Sequence, residues 1–307
     1  MTATRVWRPG RPVDLRATLG PLVRGGGDPT AVMEAAGLWR TARTPVGPGT
    51  LHLRVDAAEG VVHGTAWGDG ADWLLETLPD LLGASDVTAE EFDPDHPVVR
   101  GAWRRHPGWR VPRSRRVWET LVPTVLEQKV TGGEARDSWW RLVHAYGDPA
   151  PGPEGLVPAR LRVVPSPETW ARIPSWEWHR AGVGPERART LVGAASRAVA
   201  IERTLDLPLG KVEAALRALP GVGAWTAAEV RQRAHGDPDA VSVGDVHLAG
   251  QVVFALTGDL DGDDARMLEL LEPWVGHRYR VVRMIELSGV SRPRRGPRYA
   301  PLDHRGR

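Results

Sequence analysis

The run Leu216-Arg217-Ala218-Leu219-Pro220-Gly221-Val222-Gly223-Ala224-Trp225-Thr226-Ala227 constrains this chain more than any other. An apolar helix ends at Pro220, the backbone turns through two glycines, and a second helix starts at once. Glycines leave peptide N–H groups open to close approach, and the positive end of the new helix points to the same place. Such a corner suits a phosphate. Downstream, Ser242-Val243-Gly244-Asp245-Val246-His247-Leu248 sets one acid 22 positions beyond Gly223, at the head of a further helical segment. Asp is a favoured N-cap residue, and the dipole of the helix it caps keeps it ionised.

With 307 residues, about two domains are expected. No cysteine is present, which excludes disulfides, Cys-ligated zinc and an iron–sulfur cluster and fits a reducing cytoplasm. No signal peptide and no membrane-spanning run is read, so a cytoplasmic, nucleoid-associated protein without membrane contact is expected. The net charge of +2 hides an asymmetry. Residues 1–95 carry 8 Arg against 14 Asp and Glu, whereas residues 96–307 carry 32 basic against 24 acidic residues. The second segment is thus the candidate for a polyanionic partner.

The reading along the chain is α+β. Residues 1–95 form a small mixed α/β domain, with a β-hairpin from Thr50–Val55 and Val61–Trp67 around an Ala57–Gly60 turn, and helices over Arg24–Ala36 and Ala71–Leu82. Residues 96–290 read as a helical domain. Its helices are placed at Ser114–Val130 (with Pro123 as kink or late start), Glu134–Tyr146, Pro167–Ile173, Pro185–Ile201, Pro208–Leu219 and from the hairpin to about Ala234. Two more start near Val246 and Asp263, a last one runs over Gly276–Leu287, and residues 291–307 form a basic tail.

The glycine corner followed by a lone acid resembles the helix-hairpin-helix DNA glycosylase superfamily. Within it the chain is similar to the bacterial 3-methyladenine DNA glycosylase II family, AlkA-like, with its N-terminal mixed α/β domain. His96-Pro97-Val98-Val99, Thr124-Val125-Leu126-Glu127-Gln128-Lys129-Val130-Thr131, the hairpin and Val243-Gly244-Asp245 carry the match. The resemblance implies that Asp245 is catalytic, stabilising an oxocarbenium-like transition state or directing water. It implies a DNA grip at Gly221, Val222, Gly223 and Thr226. Related bifunctional enzymes hold a Schiff-base lysine where Ala224-Trp225 stands here, so the resemblance implies a monofunctional enzyme that uses water.

Trp225 and Trp274 match base-pocket positions, where an indole face attracts a cationic alkylated purine. Glu229 replaces a pocket aromatic one helical turn after Trp225; it could attract a cationic base or be a surface residue. Lys129 stands where relatives place an apolar or amide wedge that fills the gap left by a flipped nucleotide. Gln128 is a candidate contact to the base edge or the DNA backbone. His247 reads as a helix-surface histidine. No metal cluster or cofactor motif is seen, although the resemblance suggests a monovalent cation on the hairpin carbonyls. The expected partner is double-stranded DNA with a damaged base, bound by a monomer. Two rivals stay open: a non-catalytic DNA-binding protein, and a glycosylase for a deaminated or oxidised base.

Overall fold

The computed structural model describes residues 2–35 and 37–293. Its first part is β1 (Thr2–Trp7), α1 (Leu15–Leu19), β2 (Ala31–Met33), β3 (Gly37–Thr44), β4 (Gly47–Asp56), β5 (Val61–Gly68), α2 (Ala71–Glu76) and α3 (Leu78–Leu81). The strands form one antiparallel sheet in the order β1-β5-β4-β3-β2. Period-two alternation divides its faces. Leu38, Leu51, Leu53, Val62 and Ala66 pack against Leu74, Leu75 and Leu78 of the helices. On the other face Trp39 stacks with His52 and Trp67, and Leu161 covers the two tryptophans. The expected hairpin is present, its turn tied by Asp56 Oδ1 accepting from the Ala58 and Glu59 amides.

Of the expected Arg24–Ala36 helix, residues 24–35 are not helical, and residue 36 lies outside the described ones. Gly25 to Gly27 and Pro29 oppose a helix, and the buried Asp28 instead gathers the Arg24 and Thr30 amides, the Thr30 hydroxyl and the Trp139 indole N–H. Residues 31–33 then join the sheet as its edge strand.

Beyond it come α4 (Pro97–Arg105), α5 (Val117–Leu126), α6 (Gly132–Tyr146), a two-residue strand pair β6 (Asp148–Pro149) and β7 (Arg162–Val163), α7 (Pro167–Arg172) and α8 (Ser175–Arg180). There follow α9 (Pro185–Ala195), α10 (Ala198–Glu202), α11 (Leu209–Arg217), α12 (Ala224–Val230), α13 (Leu248–Thr257), α14 (Asp264–Leu271) and α15 (Arg278–Ser288). The expected Pro185–Ile201 helix is broken at residues 196–197 into α9 and α10. Of the expected basic tail, residues 294–307 lie outside the described ones.

Every side chain of α5 is buried, including Pro123. The proline removes one helical N–H, and next to it the Thr120 and Thr124 hydroxyls donate back to the carbonyls of Arg116 and Thr120 at 2.9 and 2.8 Å. Glu202 closes the open end of α5 by accepting the Val117 and Trp118 amides. Around α5 lies one helical core; a second joins α4, α13, α14 and α15. After α12 the helix widens to a π turn over Arg231–His235, and the Ser114 and Arg115 amides take the carbonyls of Arg233 and Ala234. The segment after α3 is tied to the second core: Arg280 of α15, fully buried, forms a two-pronged pair with Asp86 at 2.8 and 2.7 Å.

Candidate active site

The glycine corner forms as its sequence predicts. The Val222 amide donates to the Leu219 carbonyl at 3.0 Å, and the Val222 side chain is buried in the first helical core. Gly221 has φ +84°, and a Cβ there would sit 1.9 Å from Thr190 Oγ1, so both backbone and space demand glycine. Gly223 is the N-cap of α12. The Ala227 amide is the first to find a helical carbonyl, that of Gly223 at 3.0 Å. Ala224, Trp225 and Thr226 precede it, and their amides, lacking intrahelical partners, form the positive end of the helix.

Asp245 precedes α13, which begins at Leu248 rather than at Val246 because the carboxylate caps its entry. Asp245 Oδ1 accepts the amides of His247 at 2.8 Å and Leu248 at 3.0 Å. Asp245 Oδ2 accepts the indole N–H of Trp225 at 3.1 Å. The side chain is half-buried. The acid is thereby tied directly to the first turn of α12, the helix that the glycine corner launches. Trp225 spends its indole N–H on Asp245.

The other expected site residues divide. Glu229 faces inward: Oε1 accepts the Ser242 hydroxyl at 2.6 Å and Oε2 pairs with Arg233 at 2.7 Å. Its carboxylate ties α12 to the strand of chain leading to Asp245, with Gln232 bonding the same Ser242. Gln128, expected at a base edge, points its amide nitrogen into the hairpin, donating to the Gly221 carbonyl at 2.9 Å and Thr226 Oγ1 at 2.8 Å. The Thr226 side chain is buried in that contact. Lys129 is exposed, at φ +56°. Trp274 sits half-buried in the turn between α14 and α15, and its carbonyl accepts the His277 amide at 2.7 Å. Among the described residues no hydrogen bond or ring contact joins Trp274 to Trp225 or Asp245. The His247 side chain is exposed.

Two supports of the site carry no sequence signal. Asp264 Oδ2 accepts the Gly244 amide at 2.9 Å, bracing the acid's loop from α14. Asp239 accepts the Gly276 and Arg278 amides and pairs with the Arg278 guanidinium, pinning the turn after Trp274. Burial pulls the Asp239 carboxyl upward, but Arg278 and these amides outweigh it, leaving the group below the ordinary carboxylate range. Among the described residues no cluster of His, Cys, Asp and Glu could hold a metal ion, and no helix is long and apolar enough to cross a membrane.

The fold and this site define the class. The chain superposes on the 3-methyladenine DNA glycosylase of Archaeoglobus fulgidus with a TM-score of 0.76 at 16% identity, over 92% of this chain and 98% of the other. On an 8-oxoguanine glycosylase/lyase of Clostridium acetobutylicum, solved with double-stranded DNA, the TM-score is 0.69 at 11% identity, over 94% and 96% of the two chains. The fold is that of the helix-hairpin-helix DNA glycosylases, with mixed α+β architecture. Within it the chain is AlkA-like. It is 34% identical over 218 residues to proteins of two Mycobacterium tuberculosis strains named "probable bifunctional transcriptional activator/DNA repair enzyme AlkA". Those residues are 68% of this chain and 42% of the relatives, so the chain spans less than half the length of the curated proteins it matches. No family model matches the chain.

Proposed function

We propose that the protein is a monofunctional DNA glycosylase that removes alkylated bases of the 3-methyladenine type from double-stranded DNA, acting as a monomer in base excision repair. The observation that carries this reading is the fixed carboxylate of Asp245, held by the His247 and Leu248 amides and the Trp225 indole beside the glycine corner. The amides that open α12 hold a backbone phosphate, and the damaged nucleotide is turned out of the stack toward Asp245. As the C1′–N bond breaks, its electron pair leaves with the cationic base, which departs neutral. The sugar becomes oxocarbenium-like, and the carboxylate stabilises that charge without reorganising. Water then forms the new C1′–O bond and loses a proton, with Asp245 as the nearby base.

No lysine stands in the first turn of α12, so the product is an abasic site rather than a covalent adduct. The base is met by the face of Trp225, and a cation there gains from the ring quadrupole; Trp274 forms the further wall. Lys129 reaches the duplex from the turn after α5. A monovalent cation on the hairpin would draw on its backbone carbonyls, of which Gly221 already accepts one hydrogen bond, from Gln128.

The test is Asp245→Asn. Its amide oxygen still caps the α13 amides, so the fold and the affinity for duplex DNA are retained while release of methylated bases is lost. Release at the parent rate overturns the reading. Duplex binding by the parent protein without release from methylated DNA would leave a DNA-binding protein in its place.

A further inference from the structure

The turn between α5 and α6 is gripped from three directions, one residue after another. Arg187 of α9 donates Nη1 to the Leu126 carbonyl at 2.7 Å. Arg24, from the sheet side of the molecule, pairs with Glu127 at 2.8 Å. Gln128 donates to the Gly221 carbonyl and to the Thr226 hydroxyl, on either side of the glycine corner. Lys129 follows, exposed, and makes no ion pair or hydrogen bond among the described residues. Thr131 then starts α6 with a capping box to Glu134.

A non-glycine residue at φ +56° costs on the order of 1 kcal/mol and persists only where its surroundings impose it. Here the imposing contacts run through the three residues before it. The carbonyl at Gly221 belongs to the same glycine corner that launches α12. Gln128 thus bridges two features that would otherwise move separately: the tip that carries Lys129, and the phosphate grip.

We infer that Gln128 is a positioning residue that couples the Lys129 tip to the glycine corner, so that both engage one duplex as a single rigid clamp. This rests on the proposed DNA glycosylase function. A tip already ordered in the free protein does not lose its backbone entropy on binding, and the bridge sets its distance from the gripped phosphate. Gln128 then acts through Lys129 and not by touching a base.

Variants Gln128→Ala, Gln128→Glu, Lys129→Ala and the Gln128→Ala/Lys129→Ala pair test this. Three readouts are taken: thermal melting, anisotropy on undamaged duplex, and fluorescence of 2-aminopurine beside an abasic-site analogue, which reports nucleotide unstacking. Gln128→Ala is expected to melt near the parent and to lose about tenfold in the unstacking equilibrium, the scale of one hydrogen bond. Gln128→Glu, of equal size but presenting an oxygen to the Gly221 carbonyl, shares that loss. The double variant is no worse than Lys129→Ala alone. An unchanged unstacking signal in Gln128→Ala, or losses that multiply in the double variant, overturns the coupling. A parent protein that neither binds duplex nor unstacks 2-aminopurine overturns the glycosylase reading itself, before any variant is compared.

Discussion

The indole N–H of Trp225 donates to Asp245 Oδ2 across 3.1 Å, joining the helix that follows the glycine corner to the loop that carries the acid. The acid's other oxygen is held by its own loop, so among the described residues the indole is the hydrogen bond that orients the carboxylate relative to the hairpin. Trp225→Phe keeps a ring and deletes the donor. A hydrogen bond to a charged group is worth about 1.5–3 kcal/mol. Single-turnover base release is therefore expected to slow about ten- to a hundredfold, with duplex affinity near the parent value. Equal losses in both would show that the ring, not the N–H, matters.

Gly221→Ala meets two penalties. The left-handed backbone costs about 1–2 kcal/mol for alanine, and the new methyl collides with Thr190, adding about 1–3 kcal/mol. Urea unfolding should show the sum, and Thr190→Ala in the same chain should return only the collision part.

Asp86→Ala strands the Arg280 guanidinium, which is fully buried beneath Phe92, Trp103 and Trp109. Removing one partner of a buried pair costs about 3–5 kcal/mol. Denaturant midpoints would reveal it, and replacing both residues by apolar ones of similar volume should be milder than the single change.

His235, at the end of the π turn, is held to a pKa of about 4 by burial, aided by the charges of Arg113 and Arg231. Its Nε2 lies 3.0 Å from Thr204 Oγ1. The folded protein carries a neutral ring where the unfolded chain, with its ordinary pKa near 6.5, takes up a proton. Between pH 6.5 and 4 the unfolded state binds more protons, so stability rises with pH across that window and is lost on acidification through it. The full effect is about 3 kcal/mol. An NMR titration of the His235 ring in the folded protein should show no protonation down to about pH 5; a midpoint above 6 would refute it.

What could be seen in the sequence was what is local. The glycine corner declares itself because Gly221 and Gly223 set their own backbone, and Asp245 because an acid before an apolar helix is a cap. The strands of the hairpin were legible for the same reason, through alternation and the Ala57–Gly60 turn. Arg24–Ala36 misleads because its apolar spacing suggests a helix, while the three glycines and the buried Asp28 decide otherwise. Glu229 carried a usable signal, since Arg233 lies four residues on and the pair bonds on one helix face. Its second partner, Ser242, did not. Gln128 stands 93 positions from Gly221, and nothing at either end announces the bridge.

The anchoring of Asp245 leaves the surrounding walls at liberty. Its oxygens take their aim from two peptide groups of their own loop and a single indole, so that of the proposed pocket residues Trp225 alone is tied to the acid among the described residues. On the proposed function, other residues around the acid can change, and the lesions accepted with them, while the carboxylate keeps its aim.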